Sequence, residues 1–88
     1  MSRMKIFLLL LLWMPLTLMA AITVDINSAD SAIIAKHVKG IGEKKAAAII
    51  RYREQNGPFS SVDDLTKVKG IGQKTVETNR EILTATQQ

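Results

Sequence analysis

The five-residue sequence Val-Lys-Gly-Ile-Gly occurs twice in this chain of 88 residues, at positions 38–42 and again at 68–72. Each copy is followed two residues later by a lysine, Lys44 or Lys74, and then by a helix-like pattern. The repeat divides the chain into two halves joined by a short connector. It predicts two similar helix–turn–helix units within one small domain.

The first 21 residues have the composition of a secretory signal. They begin with the basic residues Arg3 and Lys5, continue with an apolar run over residues 6–18, and end with Ala20 and Ala21. That order is typical of a signal peptide that is cleaved after export. A retained membrane anchor is the alternative, but a spanning helix needs about 20 apolar residues and this run is shorter. We therefore expect a signal peptide followed by an exported domain.

The predicted exported domain, residues 22–88, is only weakly basic. It keeps all eight Asp/Glu and loses two of the 12 Lys/Arg, so its net charge is +2. Nucleic-acid binding therefore has to be argued from the positions of the lysines and not from bulk charge. Cysteine is absent, which excludes disulfides and thiolate metal sites, and His37 is the only histidine. With no plausible base, nucleophile or metal cluster, neither an enzyme nor a cofactor is predicted.

Helical periodicity and capping residues predict four helical segments. Asn27 with Asp30 resembles a capping box at the start of the first one. Residues 22–26 alternate in polarity, but a single strand would have no partner, so we expect an all-α fold with a frayed tail at residues 84–88. The predicted segments are residues 29–37, 43–55, 62–67 and 73–84, with a connector at 59–61.

Each Val-Lys-Gly-Ile-Gly sequence is suited to holding a phosphate group. The valine and isoleucine would be buried, while the two glycines permit positive φ and leave no Cβ between backbone and ligand. The second helix would then begin with N–H groups that lack intrahelical partners, at the positive end of its dipole. The predicted contact residues are Lys39, Gly40, Ile41, Gly42, Lys44 and Lys45 in the first copy, and Lys69, Gly70, Ile71, Gly72, Lys74 and Thr75 in the second.

A plain helix corner is the alternative interpretation of either turn, because a glycine often only closes a helix. The duplication favours phosphate binding, since both copies keep lysines that packing does not require. Nothing in the pattern reads a base, so little sequence preference is expected. Dinucleotide loops and P-loops are excluded because no strand precedes the turn and no Gly-Lys-Ser/Thr follows it.

The two copies differ in their second helices. Asn79 stands where the first copy has Ile49, so it has to face water or find a hydrogen-bond partner. Arg80, the next residue, is predicted to be solvated or to add a phosphate contact. Glu43 would repel a phosphate at the first hairpin, whereas Gln73 is neutral. We therefore expect the second hairpin to bind more strongly.

These turns, with Val38, Val68 and Ala46, resemble the helix-hairpin-helix DNA-binding motif. The order of several short segments also resembles the competence protein ComEA family, over nearly the whole of the predicted exported domain. The segments that carry this second resemblance are Asp-Ile-Asn-Ser-Ala at 25–29, Tyr-Arg-Glu at 52–54, Gly-Pro-Phe at 57–59, Asp-Asp-Leu at 63–65 and the second Val-Lys-Gly-Ile-Gly.

The resemblance implies a tandem helix-hairpin-helix domain of SAM-like fold that binds double-stranded DNA without sequence preference. It further implies a periplasmic protein that holds DNA during uptake for natural transformation, beside pilus and inner-membrane DNA-channel components. Signal plus one domain is similar to the short Gram-negative form of the family. An envelope scaffold that uses the same helices without DNA is the alternative, and a nuclease or glycosylase is disfavoured. Transformation and the use of DNA as a nutrient are not distinguished by these features.

Overall fold

A computed structural model of the chain describes residues 22–87, so the predicted signal peptide lies outside the described residues. Within that range no helix is both long enough and apolar enough to cross a membrane. Along the chain, one two-residue strand precedes the helices and a second follows them. The elements are β1 (Val24–Asp25), α1 (Ser31–His37), α2 (Glu43–Asn56), a 3₁₀ helix (Val62–Lys67), α3 (Gln73–Thr78) and β2 (Leu83–Thr84).

The first three helical segments lie within two residues of their predicted bounds, but the last was predicted to reach residue 84 and ends at Thr78. The cap of the first helix was also predicted at the wrong residue. Asp30, not Asn27, caps α1, and its carboxylate accepts the N–H of Ile33 at 2.9 Å. The Asn27 amide instead joins the start of the domain to the connector. It accepts the N–H of Phe59 at 2.7 Å and donates to the carbonyls of Phe59 and Thr86 at 3.0 and 2.9 Å.

The expectation of a purely α fold with a frayed end was wrong at the two ends of the domain. The last helix stops at Thr78, and the chain then turns so that Leu83 lies beside Val24 in a parallel pair of strands. The Val24 N–H donates to the Ile82 carbonyl at 2.6 Å. Local periodicity could not show this pairing, because the two partners are far apart in sequence.

A single hydrophobic core lies beneath both turns. The valine and isoleucine of each repeated sequence are buried as predicted, and so are Ala46 and its equivalent Val76. The Tyr52 ring stacks on the buried Phe59 at a centroid distance of 5.3 Å. The described residues thus build a complete core of their own. Its members are Val24, Ile26, Ile34, Val38, Ile41, Ala46, Ile49, Phe59, Leu65, Val68, Ile71, Val76 and Leu83.

Asn79 joins the two halves of the domain. It is the one buried polar residue of the described core, with 4% of its surface exposed. Its side-chain oxygen accepts the Lys39 N–H at 2.8 Å, and its amide donates to the carbonyls of Lys39 and Thr75 at 2.9 and 2.8 Å. Asn79 therefore has a hydrogen-bond partner for each of its polar atoms, one of the two outcomes that the sequence allowed. It also fixes the first turn to the end of the second motif.

Asp25, in β1, binds the main chain near the end of the described residues. Its carboxylate accepts the N–H groups of Asn27 and Thr86 at 3.0 and 3.1 Å and the Ser28 hydroxyl at 2.9 Å. Partial burial acts to raise the pKa of Asp25, but these hydrogen bonds together outweigh it and hold the pKa below its ordinary value. The charged Asp25 carboxylate therefore holds the main chain at Thr86 in place.

Replacement of Asn79 by leucine should lower the free energy of unfolding by about 1–3 kcal/mol, because the Lys39 main chain loses both partners. Urea denaturation of the chain from Ile22 to Gln88 measures this loss. Asn56→Ala is the matched control, since that exposed amide bonds only to the Tyr52 carbonyl within its own helix. Equal effects of the two substitutions would contradict the joining role of Asn79.

Asp25→Asn should remove a part of the stability that depends on pH. A carboxyl whose folded-state pKa is depressed stabilises the protein above its unfolded pKa of about 3.9, and this contribution is lost as the pH falls through the folded value. The wild type should therefore exceed the variant by roughly 1 kcal/mol at neutral pH, and the difference should shrink below about pH 4. Thermal melts between pH 2 and 7 test this, with the exposed Glu54→Gln as control. A difference that stays constant across that range would show that charge on Asp25 plays no part.

Candidate nucleic-acid interface

The two repeated sequences form the same tight turn. The Val38 carbonyl accepts the Ile41 N–H at 3.2 Å, and the equivalent bond in the second copy is 3.1 Å long. The glycine at the third position has a φ of +84° in the first copy and +94° in the second. No non-glycine residue between positions 22 and 87 has a positive φ. A bond from the first to the fourth residue with positive φ only at the third is the pattern of a type II turn, which requires glycine there.

The second glycine of each copy starts the following helix. Gly42 and Gly72 are the N-cap residues of α2 and α3, and neither helix start has a side-chain cap. The first helical bonds run from Ala46 to the Gly42 carbonyl at 2.9 Å and from Val76 to the Gly72 carbonyl at 3.3 Å. The N–H groups of the first three residues in each helix thus lack intrahelical partners.

Neither N-cap glycine is required by the fold itself. A Cβ added to Gly42 or Gly72 would meet no atom within 4 Å, and their φ values of −89° and −103° are open to any residue. The first glycines differ, because their positive φ would strain any side chain. Glycine at the N-cap therefore leaves open space directly above unpartnered N–H groups.

The predicted contact residues fall into an exposed and a buried set. The isoleucines, Ile41 and Ile71, are 4% exposed and their N–H groups bond within the turns, so they hold the turns in place from below. Thr75 is half-buried, and the Lys39 N–H is already bonded to Asn79. The exposed residues are Lys39, Gly40, Gly42, Lys44, Lys45, Lys69, Gly70, Gly72 and Lys74.

Each turn lies beside the second helix of the other motif, a relation that sequence reasoning missed. A Cβ added to Gly40 would lie 3.9 Å from both Cγ2 and Oγ1 of Thr75. At the equivalent Gly70 it would lie 3.5 Å from Cε of Lys45. Residues 45 and 75 are thirty positions apart, as the two turns are, so the contact is reciprocal. The spacing of the repeat was the only signal of it in the sequence.

Arg80 lies in an exposed network of ion pairs on α3 and the 3₁₀ helix. Its guanidinium donates to Asp63 at 2.6 Å and to Glu77, and the Gln73 amide donates to Glu77 at 2.9 Å. Arg80 is the main reason that the pKa values of Asp63 and Glu77 are lowered, and they in turn raise the pKa of Arg80. Arg80 is thus exposed, but its charge is already matched by two carboxylates.

No cluster of three or more His, Cys, Asp or Glu residues suited to a metal ion occurs in the part of the chain that the structure describes. His37 lies in the last turn of α1, as predicted, with Lys36 beside it. The exposed members of the predicted contact set offer main-chain N–H donors and lysine ammonium groups.

Comparison with known proteins agrees with the geometry of the turns. A family model described as a helix-hairpin-helix motif matches residues 20–84. An uncharacterized protein of Haemophilus influenzae is 47% identical over 57 residues, which cover 65% of this chain and 51% of the relative. The ComE operon protein 1 of Bacillus subtilis is 44% identical over 61 residues, which cover 69% of this chain and 29% of the relative.

A human relative, the S1 RNA-binding domain-containing protein 1, is 43% identical over 54 residues, 61% of this chain but only 5% of that protein. The chain thus spans about half or less of the length of these relatives. The match to the family model nonetheless includes both turns and the helices around them. The chain belongs to the helix-hairpin-helix family and is a ComEA-like member of it.

Proposed function

We propose that this protein binds double-stranded DNA through the phosphate backbone, without sequence preference, using its two turns as a tandem pair of helix-hairpin-helix motifs. The observation that carries the proposal is that α2 and α3 both start without a side-chain cap. The fold would accept a side chain at Gly42 and at Gly72, yet both positions hold glycine and leave three N–H groups uncapped. Such a site favours an anion, because donors and helix dipole point at the same place.

The charged side chains around the turns support the same ligand. Five exposed lysines lie in or just after the two turns, whereas the mid-helix surface of the domain mixes both signs. Lysine acts as a point charge toward phosphate and carries no base preference. These lysines are Lys39, Lys44, Lys45, Lys69 and Lys74.

The aromatic residues argue against recognition of exposed bases. Binding of single strands by stacking needs aromatic rings along a basic groove. Here Phe59 is buried, and Tyr52 is half-buried with its ring stacked on Phe59. Double-stranded DNA gripped at phosphates of both strands therefore fits better than a single strand.

The cellular role that we propose is to hold DNA during its uptake in natural transformation, in the periplasm, after cleavage of the signal peptide formed by residues 1–21. The mature domain would then be residues 22–88, acting without enzymatic activity beside pilus and inner-membrane channel components. Support comes from the signal-like start of the sequence and from the similarity to the ComE operon protein 1. The DNA-binding surface proposed here does not depend on this pathway.

Serine at both N-cap positions, Gly42→Ser with Gly72→Ser, should separate stability from DNA binding. Serine caps a helix slightly better than glycine, so the free energy of unfolding should stay level or rise by a few tenths of a kcal/mol. DNA affinity should fall by roughly tenfold, because the hydroxyls occupy the N–H groups that phosphate would use. Urea denaturation and fluorescence anisotropy with a labelled random duplex measure the two effects. Unchanged affinity would indicate that the turns are structural corners, as in the scaffold alternative.

Charge-reversing substitutions in the two motifs should show which hairpin contributes more to DNA affinity. Lys74→Glu should weaken duplex binding about threefold more than Lys44→Glu, because Glu43 already lowers the potential at the first hairpin while Gln73 is neutral. The logarithm of the wild-type binding constant should fall with that of the salt concentration, by about 0.9 per neutralised phosphate. Gel shifts over a salt series measure both. Arg51→Glu, an equal charge change in the middle of α2, serves as the control. Binding that ignores salt, or a reversed ranking, would contradict these expectations.

A further inference from the structure

We infer that Lys45 acts on the phosphate held by the second hairpin, although it belongs to the helix that follows the first. This inference rests on the proposed function and assigns one lysine within it. The evidence is the contact of the Lys45 side chain with the second turn. A Cβ at Gly70 would lie 3.5, 3.9 and 4.0 Å from Cε, Cγ and Cδ of Lys45.

Three successive carbons of the Lys45 side chain therefore lie along the outer face of the second turn. The ammonium nitrogen is one bond beyond Cε, which holds it within about 5 Å of the position where that Cβ would lie. Lysine stems commonly cover a surface in this way while the charged head stays in water. The charge of Lys45 is thus placed beside the Lys69–Gly70 corner, and the residue remains exposed.

Each turn lies beside a side chain of the other motif, but only the second turn lies beside a charged one. The first turn receives Thr75 in the equivalent place, and threonine carries no charge. The second hairpin consequently collects three lysines, whereas the first keeps two lysines next to Glu43. The three lysines of the second hairpin are Lys45, Lys69 and Lys74.

The third lysine should strengthen the second hairpin in addition to the effect of the neutral Gln73 in place of Glu43. The two effects can be tested separately. Exposed charges several ångströms apart interact weakly one by one, so the benefit of a third lysine comes from its summed field at one phosphate. If the position of the lysine decides the strength of a hairpin, moving it should move the stronger site. Residues 43 and 73 need not be changed to test this.

The test is a transposition, Lys45→Thr together with Thr75→Lys, in the chain from Ile22 to Gln88. Composition and net charge stay the same. Amide shifts in ¹H–¹⁵N NMR spectra are followed while a short random duplex is added at low salt. In the wild type, the amides of residues 69–75 should respond at roughly threefold lower DNA concentration than those of 39–45. In the transposed variant this difference should vanish or reverse.

A single substitution tests the same inference in case the transposed double variant does not fold. Lys45→Gln keeps Cγ and Cδ beside Gly70 and removes the charge together with Cε, and Lys44→Gln is its matched control one residue earlier on the same helix. Lys45→Gln should weaken the response of the second hairpin by about threefold, and Lys44→Gln that of the first. A thermal melt establishes that each variant is folded.

The outcomes separate this inference from the function on which it rests. If Lys45→Gln and Lys44→Gln both weaken the first hairpin alone, or if transposition leaves the wild-type order intact, Lys45 serves its own motif and the inference is overturned. If the wild-type duplex titration perturbs neither hairpin, the proposed DNA binding fails, and the assignment of Lys45 fails with it.

Discussion

The domain depends on one four-residue turn that is closed by a single main-chain hydrogen bond and built twice. In each copy the third residue has a positive φ, which only glycine accepts without strain. The buried isoleucine that follows fixes the turn to the core, and the next helix starts two residues later. That geometry sets the positions of the lysines in and just after the two turns and of the N–H groups at the starts of α2 and α3.

The three α-helices of the described residues start in two different ways. At α1 the Asp30 carboxylate accepts the Ile33 N–H, so that helix carries its own cap. At α2 and α3 the cap is glycine, although φ and space would admit serine or aspartate. Helix stability alone favours the side-chain cap at all three places. The contrast makes the uncapped pair a feature of the surface and not a demand of the fold, which is why it supports an external anion.

The sequence predicted most of what is local in this structure, apart from the cap of α1 and the end of α3, and missed what is long-range. Residue 43 as the start of α2, the limits of the 3₁₀ helix and the burial of the turn isoleucines all follow from capping residues and periodicity. The pairing of Val24 with Leu83 could not be seen, since each segment is only two residues long and gains its stability from the other. The Lys45 contact was hidden for the same reason, because it depends on how the two copies pack.

Differences between the copies are as informative as the repeat. Asn79 replaces the purely apolar Ile49 and binds both polar main-chain groups of Lys39, a task that isoleucine cannot perform for the second turn. The first turn is thus held by an added pair of hydrogen bonds and lies beside the neutral Thr75, while the second lies beside Lys45. One turn gains rigidity and the other gains charge. In the proposed binding mode the two hairpins need not be equal, because the domain would be held to a duplex by the sum of both while each could release separately.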